Sequence, residues 1–127
     1  MSPAQAAIDD LDTRIPVWAA LSELYLDTDV SLWYESVART LASSPYSLET
    51  LERILVDEVH PALHANLLQV AGEWAGFDDA WLVEHVQAVR RRPLWRRRLA
   101  RLSFGMVRDD WQAVVPLIRN ARATAAA

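Results

Sequence analysis

The stretch SLETLERILVDEV, residues 47–59, decides the fold class. Leu48, Leu51, Leu55 and Val59 recur three and four residues apart, while Glu49, Glu52 and Arg53 point the other way, the signature of a helix with one buried face. Ser47 stands where its hydroxyl can cap the first turn. A strand would need alternation, and no part of the chain alternates between hairpin dipeptides such as Asn-Gly. Glycine occurs at just three positions, 72, 76 and 105.

Outward from this stretch the helical period continues. Towards the N-terminus it predicts a helix over about 14–25, capped by Asp12 or Thr13, with Pro16 in the first turn, where a missing N–H costs little. Ile15, Trp18, Leu21, Leu24 and Tyr25 form its buried stripe. Asp27, Thr28, Asp29 and Ser31 offer caps for a second helix to about Leu41, with Leu32, Trp33, Val37 and Leu41 on its apolar side and Ser43, Ser44 and Pro45 closing it.

Towards the C-terminus, Pro61 biases His60 away from the helical region and predicts a kink or break, then a short helix over 61–72 that uses Leu63, Leu67, Leu68 and Val70. Residues 71–77 read as a compact buried turn. Asp78 caps a helix over 79–91 that buries Trp81, Leu82, Val86 and Val89. Pro93 opens another, in which Trp95, Leu99 and Leu102 form a core stripe opposite Arg96, Arg97 and Arg101, and Gly105 ends it with a positive φ. A last helix starts near Asp109 or Asp110, carries Trp111, Val114, Val115 and Ile118, and is kinked at Pro116. Residues 1–12 and 121–127 are expected to fray. The expectation is one all-α domain, a compact irregular bundle of six to seven short helices without a sheet.

Composition agrees with that expectation. The 127 residues are 52% hydrophobic and 24% charged, as in an ordinary globular domain, and no apolar run approaches the ~20 residues that span a bilayer. Without cysteine there is no disulfide framework or thiol chemistry. Asp9, Asp10 and Asp12 stand where a signal peptide would be basic and apolar, so a cytoplasmic location is expected. All thirteen basic residues are arginine, which reads as the codon bias of a GC-rich bacterial genome. The net charge of −4 hides a split: up to Val89 the balance is −12, and beyond it +8. Such a split makes either a partner-binding surface or helices that neutralise one another.

Several groupings resemble sites. His60 and His64 lie four apart, with Asp57 and Glu58 just upstream, but a zincin helix needs Glu where Pro61 stands, so surface or capping histidines are expected and no metal or other cofactor. His85 is isolated. The acid pairs Asp9/Asp10, Asp57/Glu58, Asp78/Asp79 and Asp109/Asp110 diverge by about 100° on a helix and are expected to favour helix N-termini rather than to converge as acid and base. The arginines between 90 and 101 could track phosphates, with Trp95 stacking on a base, but a solvated face partly paired with the acidic helices is the simpler reading. Of the six tryptophans, at 18, 33, 74, 81, 95 and 111, most fall on core stripes, leaving one or two as partner anchors. There is no Gly-rich phosphate loop and no G-x-S-x-G elbow.

Two blocks carry a resemblance. Residues 16–28 fit P-V-W-x-A-L-S-x-L-x-L-D-T, and residues 66–82 fit N-L-x-x-V-A-G-x-W-x-G-F-D-x-x-W-L. The chain thereby resembles an uncharacterised family of small all-helical proteobacterial proteins, a domain of unknown function, with SSPYSLETLERIL between the blocks similar in outline. The resemblance implies a bacterial helical fold and brings no catalytic residues. It directs attention to Asn66, Glu73, Trp74 and Asp78, polar and aromatic residues gathered near two glycines, although caps at Asn66 and Asp78 and core volume at Trp74 are the simpler account.

The functional expectation is a cytoplasmic protein-interaction module without catalysis, an immunity-type or inhibitor protein that occludes a bacterial toxin or effector. Complementary charge speeds such encounters, and the expected contacts are Asp27, Asp29, Asn66, Glu73, Trp74, Asp78 and Asp79. The alternatives are a nucleic-acid-associated regulator using Arg96, Arg97 and Arg101, and a small hydrolase with a carboxylate site or the His60/His64 pair in a pocket.

Overall fold

The computed structural model describes residues 3–26, 29–67 and 79–126. They form helices throughout, with no strand among the described residues. Helix α1 is Pro3–Ser22, followed by a 3-10 turn over Glu23–Tyr25. A second 3-10 turn, Val30–Trp33, leads into α2, Tyr34–Ser43. Then come α3, Leu48–Ile54, a π turn over Leu55–Val59, and α4, His60–Leu67. Helix α5 is Asp79–Arg90, α6 is Leu94–Leu99 with a 3-10 turn over Ala100–Ser103, and α7 is Gly105–Ala126.

The stretch at 47–59 folds as its spacing requires. The Ser47 hydroxyl accepts from the Thr50 N–H at 3.2 Å, and Leu51, Leu55 and Val59 are buried. The break expected at Pro61 takes another form. The chain runs through without stopping, and the helix widens to a π turn in which the His60 N–H reaches the Leu55 carbonyl. A proline removes one N–H and its ring crowds the carbonyl four residues back, here that of Asp57; a wider turn just upstream accommodates both.

Helix α1 begins at Pro3, eleven residues before the expected start, so Pro16 sits inside it rather than in its first turn. Asp12 and Thr13 do not cap. The Thr13 hydroxyl turns back to the Asp10 carbonyl at 3.2 Å, the arrangement by which a threonine is housed within a helix. The second turn does use its expected cap: Asp29 accepts from the Ser31 N–H at 3.1 Å and from its hydroxyl at 2.6 Å.

The C-terminal third departs furthest from expectation. Gly105 does not end a helix with a positive φ; it opens α7, which starts four residues ahead of Asp109 and passes Pro116 without ending. The buried stripe is Ala100, Phe104, Val107, Trp111, Val114 and Ile118, a four-three alternation that continues from the 3-10 turn into α7. The expected stripe of Trp95, Leu99 and Leu102 lies outside the core, at 64%, 58% and 90% exposed. Helical structure also runs through residues 3–12 and 121–126. At the latter end the guanidinium of Arg122 donates to the carbonyls of Leu41, Ala42, Ser44 and Tyr46, closing α2 from another helix.

The core fills the space between α1, α2, the α3–α4 rod, α5 and α7, with Trp18, Leu21, Tyr25, Leu41, Leu55, Leu63, Leu82 and Ile118 fully buried. Helix α2 lies along α7, and α1 is held between α2 and α5.

Candidate functional site

A buried polar chain crosses the middle of the domain. His60 is 0% exposed, so it is a core residue and not the surface or capping histidine expected. Its Nδ1 lies 2.7 Å from the Tyr25 hydroxyl and its Nε2 lies 2.9 Å from Ser103 Oγ. Ser103 in turn donates to the Ala100 carbonyl at 2.9 Å and stands 3.4 Å from His64 Nδ1. Burial pushes the Tyr25 hydroxyl well above its ordinary range, helped by the charge of Asp110. Ser103 spends its one proton on the Ala100 carbonyl, so it accepts from His60, which leaves Nδ1 to accept from the Tyr25 hydroxyl. Nε2 then carries the ring proton and gives it to Ser103. Burial pushes His60 down to about 4, with His64 adding to the effect and the Ala100 carbonyl opposing it.

That arrangement sets what the chain of groups can do. A serine nucleophile needs its neighbouring histidine nitrogen unprotonated and facing it. Here the nitrogen facing Ser103 is the protonated one, while the serine proton is directed to a carbonyl. The network ties the first 3-10 turn, α4 and the last 3-10 turn together, and Phe104 packs edge-on against the His60 ring.

Part of the charge split closes on itself. Asp10, Asp57, Glu58 and Asp110 do not cap helices, and the Asp78/Asp79 pair lies outside the described side chains. Asp10, well inside α1, is bridged by Arg14 and by Arg90, the latter at 2.8 Å. Burial alone would raise its carboxyl, but hydrogen bonds from the two guanidiniums outweigh that and hold it below 3.8. Glu58 receives Arg14 at 2.7 Å and the Trp18 indole at 2.9 Å. Asp57 takes a two-pronged bond from Arg101, at 2.7 and 3.0 Å. Asp110, in the second turn of α7, accepts from the Tyr34 hydroxyl, which lifts that phenol to about 12. Asp57 and Glu58, which border a groove of about 320 Å³, thus both accept from donors on other elements.

Arg96, Arg97 and Arg101 do not share one face. Arg101 is committed to Asp57, Arg97 borders the Asp57/Glu58 groove with its Nε buried and unpartnered, and Arg96 borders a different groove beside Arg92. That second groove, about 310 Å³, lies where α4 meets α6 and its 3-10 turn, lined by Pro61, His64, Arg92, Arg96, Leu99, Leu102 and Ser103. Burial lowers His64, and the positive charge of Arg92 lowers it further.

Next to it the apolar side chains of α6 stand in solvent. Leu94, Trp95, Leu99, Leu102 and Met106 are all exposed, and Arg91, Arg92, Arg96 and Arg98 lie among them with no carboxylate within ion-pair distance among the described residues. Trp18 and Trp111 are core residues as expected, whereas Trp33 and Trp95 surface. Of the expected acidic contacts, Asp29 is engaged as a cap. Asp27, Glu73, Trp74 and Asp78, and the side chains of Asn66 and Asp79, lie outside the described residues. Among the described residues no group of three or more His, Asp or Glu is placed to hold a metal ion, and no helix is long and apolar enough to cross a membrane.

A family model described as a domain of unknown function, DUF7079, matches residues 12–120. The chain belongs to that family. The match takes in both sequence blocks and most of the basic third, so the α6 face and the Tyr25–His60–Ser103 network lie within the DUF7079 domain. No curated protein and no solved structure matches the chain. Sequence reasoning placed Tyr25 in the core but missed its bond to His60, and it missed Ser103 and the outward turn of Leu99 and Leu102 in this domain. The signal for the last was present, because Phe104, Val107 and Trp111 already supply the stripe that faces the core.

Proposed function

We propose that this DUF7079 domain is a protein-interaction module that docks a partner through the exposed face of α6 and the turn after it. A single observation carries the reading: five large apolar side chains stand in solvent within thirteen residues, among arginines that have no carboxylate partner among the described residues. A folded domain that buries Trp18, Leu21 and Leu41 completely gains nothing in stability from leaving Trp95 and Leu102 in water, and contiguous exposed apolar surface of this kind is typical of interfaces. The charge around it selects the occupant. The partner presents apolar anchors flanked by Asp and Glu, so that arginines at the rim steer the encounter while Trp95 and Leu99 supply contact area. In its finer form the module is an immunity-type or inhibitor protein acting in the bacterial cytoplasm, and the partner is a toxin or effector whose activity docking blocks. The acidic contacts first expected give way in this reading to the basic face.

The test is a photo-crosslinking amino acid placed at position 95, 99 or 102 in the native cell, with position 84 on the exposed side of α5 as control. One protein adduct is expected from the three face positions and not from the control. That protein, once purified, should bind the chain with an affinity that falls with added salt and falls at least tenfold in Leu99→Gln. Adducts with nucleic acid alone, or identical adducts at position 84, would overturn the reading.

A further inference from the structure

The groove between α4 and α6 carries a binding chemistry of its own. Two guanidiniums, from Arg92 and Arg96, border it with the Ser103 hydroxyl and the His64 ring, and no carboxylate lines it among the described residues. Both arginines are exposed and neither is within ion-pair distance of an acid among the described residues, unlike Arg14, Arg90 and Arg101. The charge of Arg92 already bears on His64, so the groove has a positive field that no acid among the described residues pairs with. Pro61, Leu99 and Leu102 supply an apolar wall alongside, and the volume of about 310 Å³ lies at the small end of ligand sites.

We infer that this groove binds an amphiphilic carboxylate, its anionic head between Arg92 and Arg96 near Ser103 and its apolar body along Leu99 and Leu102. Paired guanidiniums give a carboxylate two-pronged hydrogen bonding, and a head-and-body ligand satisfies both halves of the lining at once, whereas a bare anion leaves the leucines wet and a hydrocarbon leaves the arginines unbalanced. The same chemistry occurs in a free medium-chain carboxylate and in an acidic side chain next to leucine on a docked protein. The inference stands on the groove itself and holds whether or not the wider face docks a partner.

The experiment is an NMR titration of the full chain with octanoate, octylamine and the capped peptide acetyl-Leu-Glu-Leu-amide. Octanoate or the peptide should give saturable shifts at His64, Leu99, Leu102 and Ser103, and should move the His64 titration midpoint upward, since a bound anion offsets the charge of Arg92. Octylamine should bind at least tenfold more weakly. The double change Arg92→Glu and Arg96→Glu, at two exposed positions, should weaken octanoate at least tenfold. Tighter binding of the peptide identifies a protein side chain as the source, and tighter binding of octanoate a free amphiphile. Equal binding of octanoate and octylamine, or no saturation with either acid, overturns the inference, and the wild-type comparison decides this even if the double variant does not fold. A failed titration beside a specific adduct at position 95 would remove the groove and keep the docking face; the converse would keep the groove alone.

Discussion

His60 is neutral because of where it sits, and that makes it a source of acid sensitivity. In the unfolded chain it takes up a proton near its ordinary 6.5, but in the folded protein not until about 4. Between those values the unfolded state binds more protons, so stability is complete above pH 6.5 and falls as acid is added down to about pH 4, by on the order of 2 kcal/mol once solvent screening is allowed for. Urea midpoints taken every half pH unit should show this slope, and His60→Gln should flatten it; equal slopes in the two proteins would assign the sensitivity to another group. Arg122 makes a second residue-scale case. Its guanidinium serves four carbonyls around the end of α2, so Arg122→Ala should cost roughly 1–3 kcal/mol by leaving partly buried acceptors unpaired. Arg122→Lys should recover less than half of that loss, because an ammonium cannot reproduce the planar fork. Urea denaturation measures both, and a loss below about 0.5 kcal/mol for the alanine variant would mean that water serves those carbonyls as well.

At the scale of elements, the fate of α6 and α7 turns on Gly105. Nothing lies within 4 Å of a Cβ built there, and its backbone is helical, so Gly105→Ala should leave stability unchanged or raise it by up to about 1 kcal/mol. A positive φ would make the same change destabilising, and thermal unfolding separates the two. The seating of the segment can be tested alongside: Phe104→Ala should cost about 3 kcal/mol, while Leu102→Gln should fall within about 0.5 kcal/mol of zero. Most helices were legible in the sequence because a 3.6-residue stripe survives any change of neighbour, as at Leu51, Leu55 and Val59. What misled was punctuation. Treating Gly105 as a stop divided the run of Phe104, Val107, Trp111, Val114 and Ile118, and the part left behind seemed to need Leu99 and Leu102 for its core. Treating Asp12, Thr13 and Pro16 as a start concealed the eleven residues of α1 before Arg14. A glycine or a capping side chain shows what a helix end tolerates; whether the chain ends there is decided by contacts such as Thr13 to Asp10. The buried chain from Tyr25 to Ser103 left no local signal, since its members are separated by 35 and 43 residues and meet only through packing.

For the whole molecule, the opposition between an acidic first two-thirds and a basic last third resolves into two populations of arginine. Arg90 and Arg101 reach back to Asp10 and Asp57 and tie α5 and the last 3-10 turn to the first two-thirds. Arg91, Arg92, Arg96 and Arg98 have no such acid among the described residues and face outward with the leucines of α6. Charge reversal should separate the two groups. Arg90→Glu sets a carboxylate against Asp10, whose remaining guanidinium is Arg14, and should cost roughly 1–2 kcal/mol at low salt, less as salt screens the repulsion. Arg101→Glu should behave alike but more weakly, because that pair is open to solvent. Arg92→Glu and Arg96→Glu should stay within about 0.5 kcal/mol of the parent at any salt, because they remove no carboxylate partner. Urea midpoints at low and high salt supply the comparison. Equal losses across all four variants would mean that the basic third is consumed by internal pairing, and the outward face would then have no charge of its own with which to choose a partner.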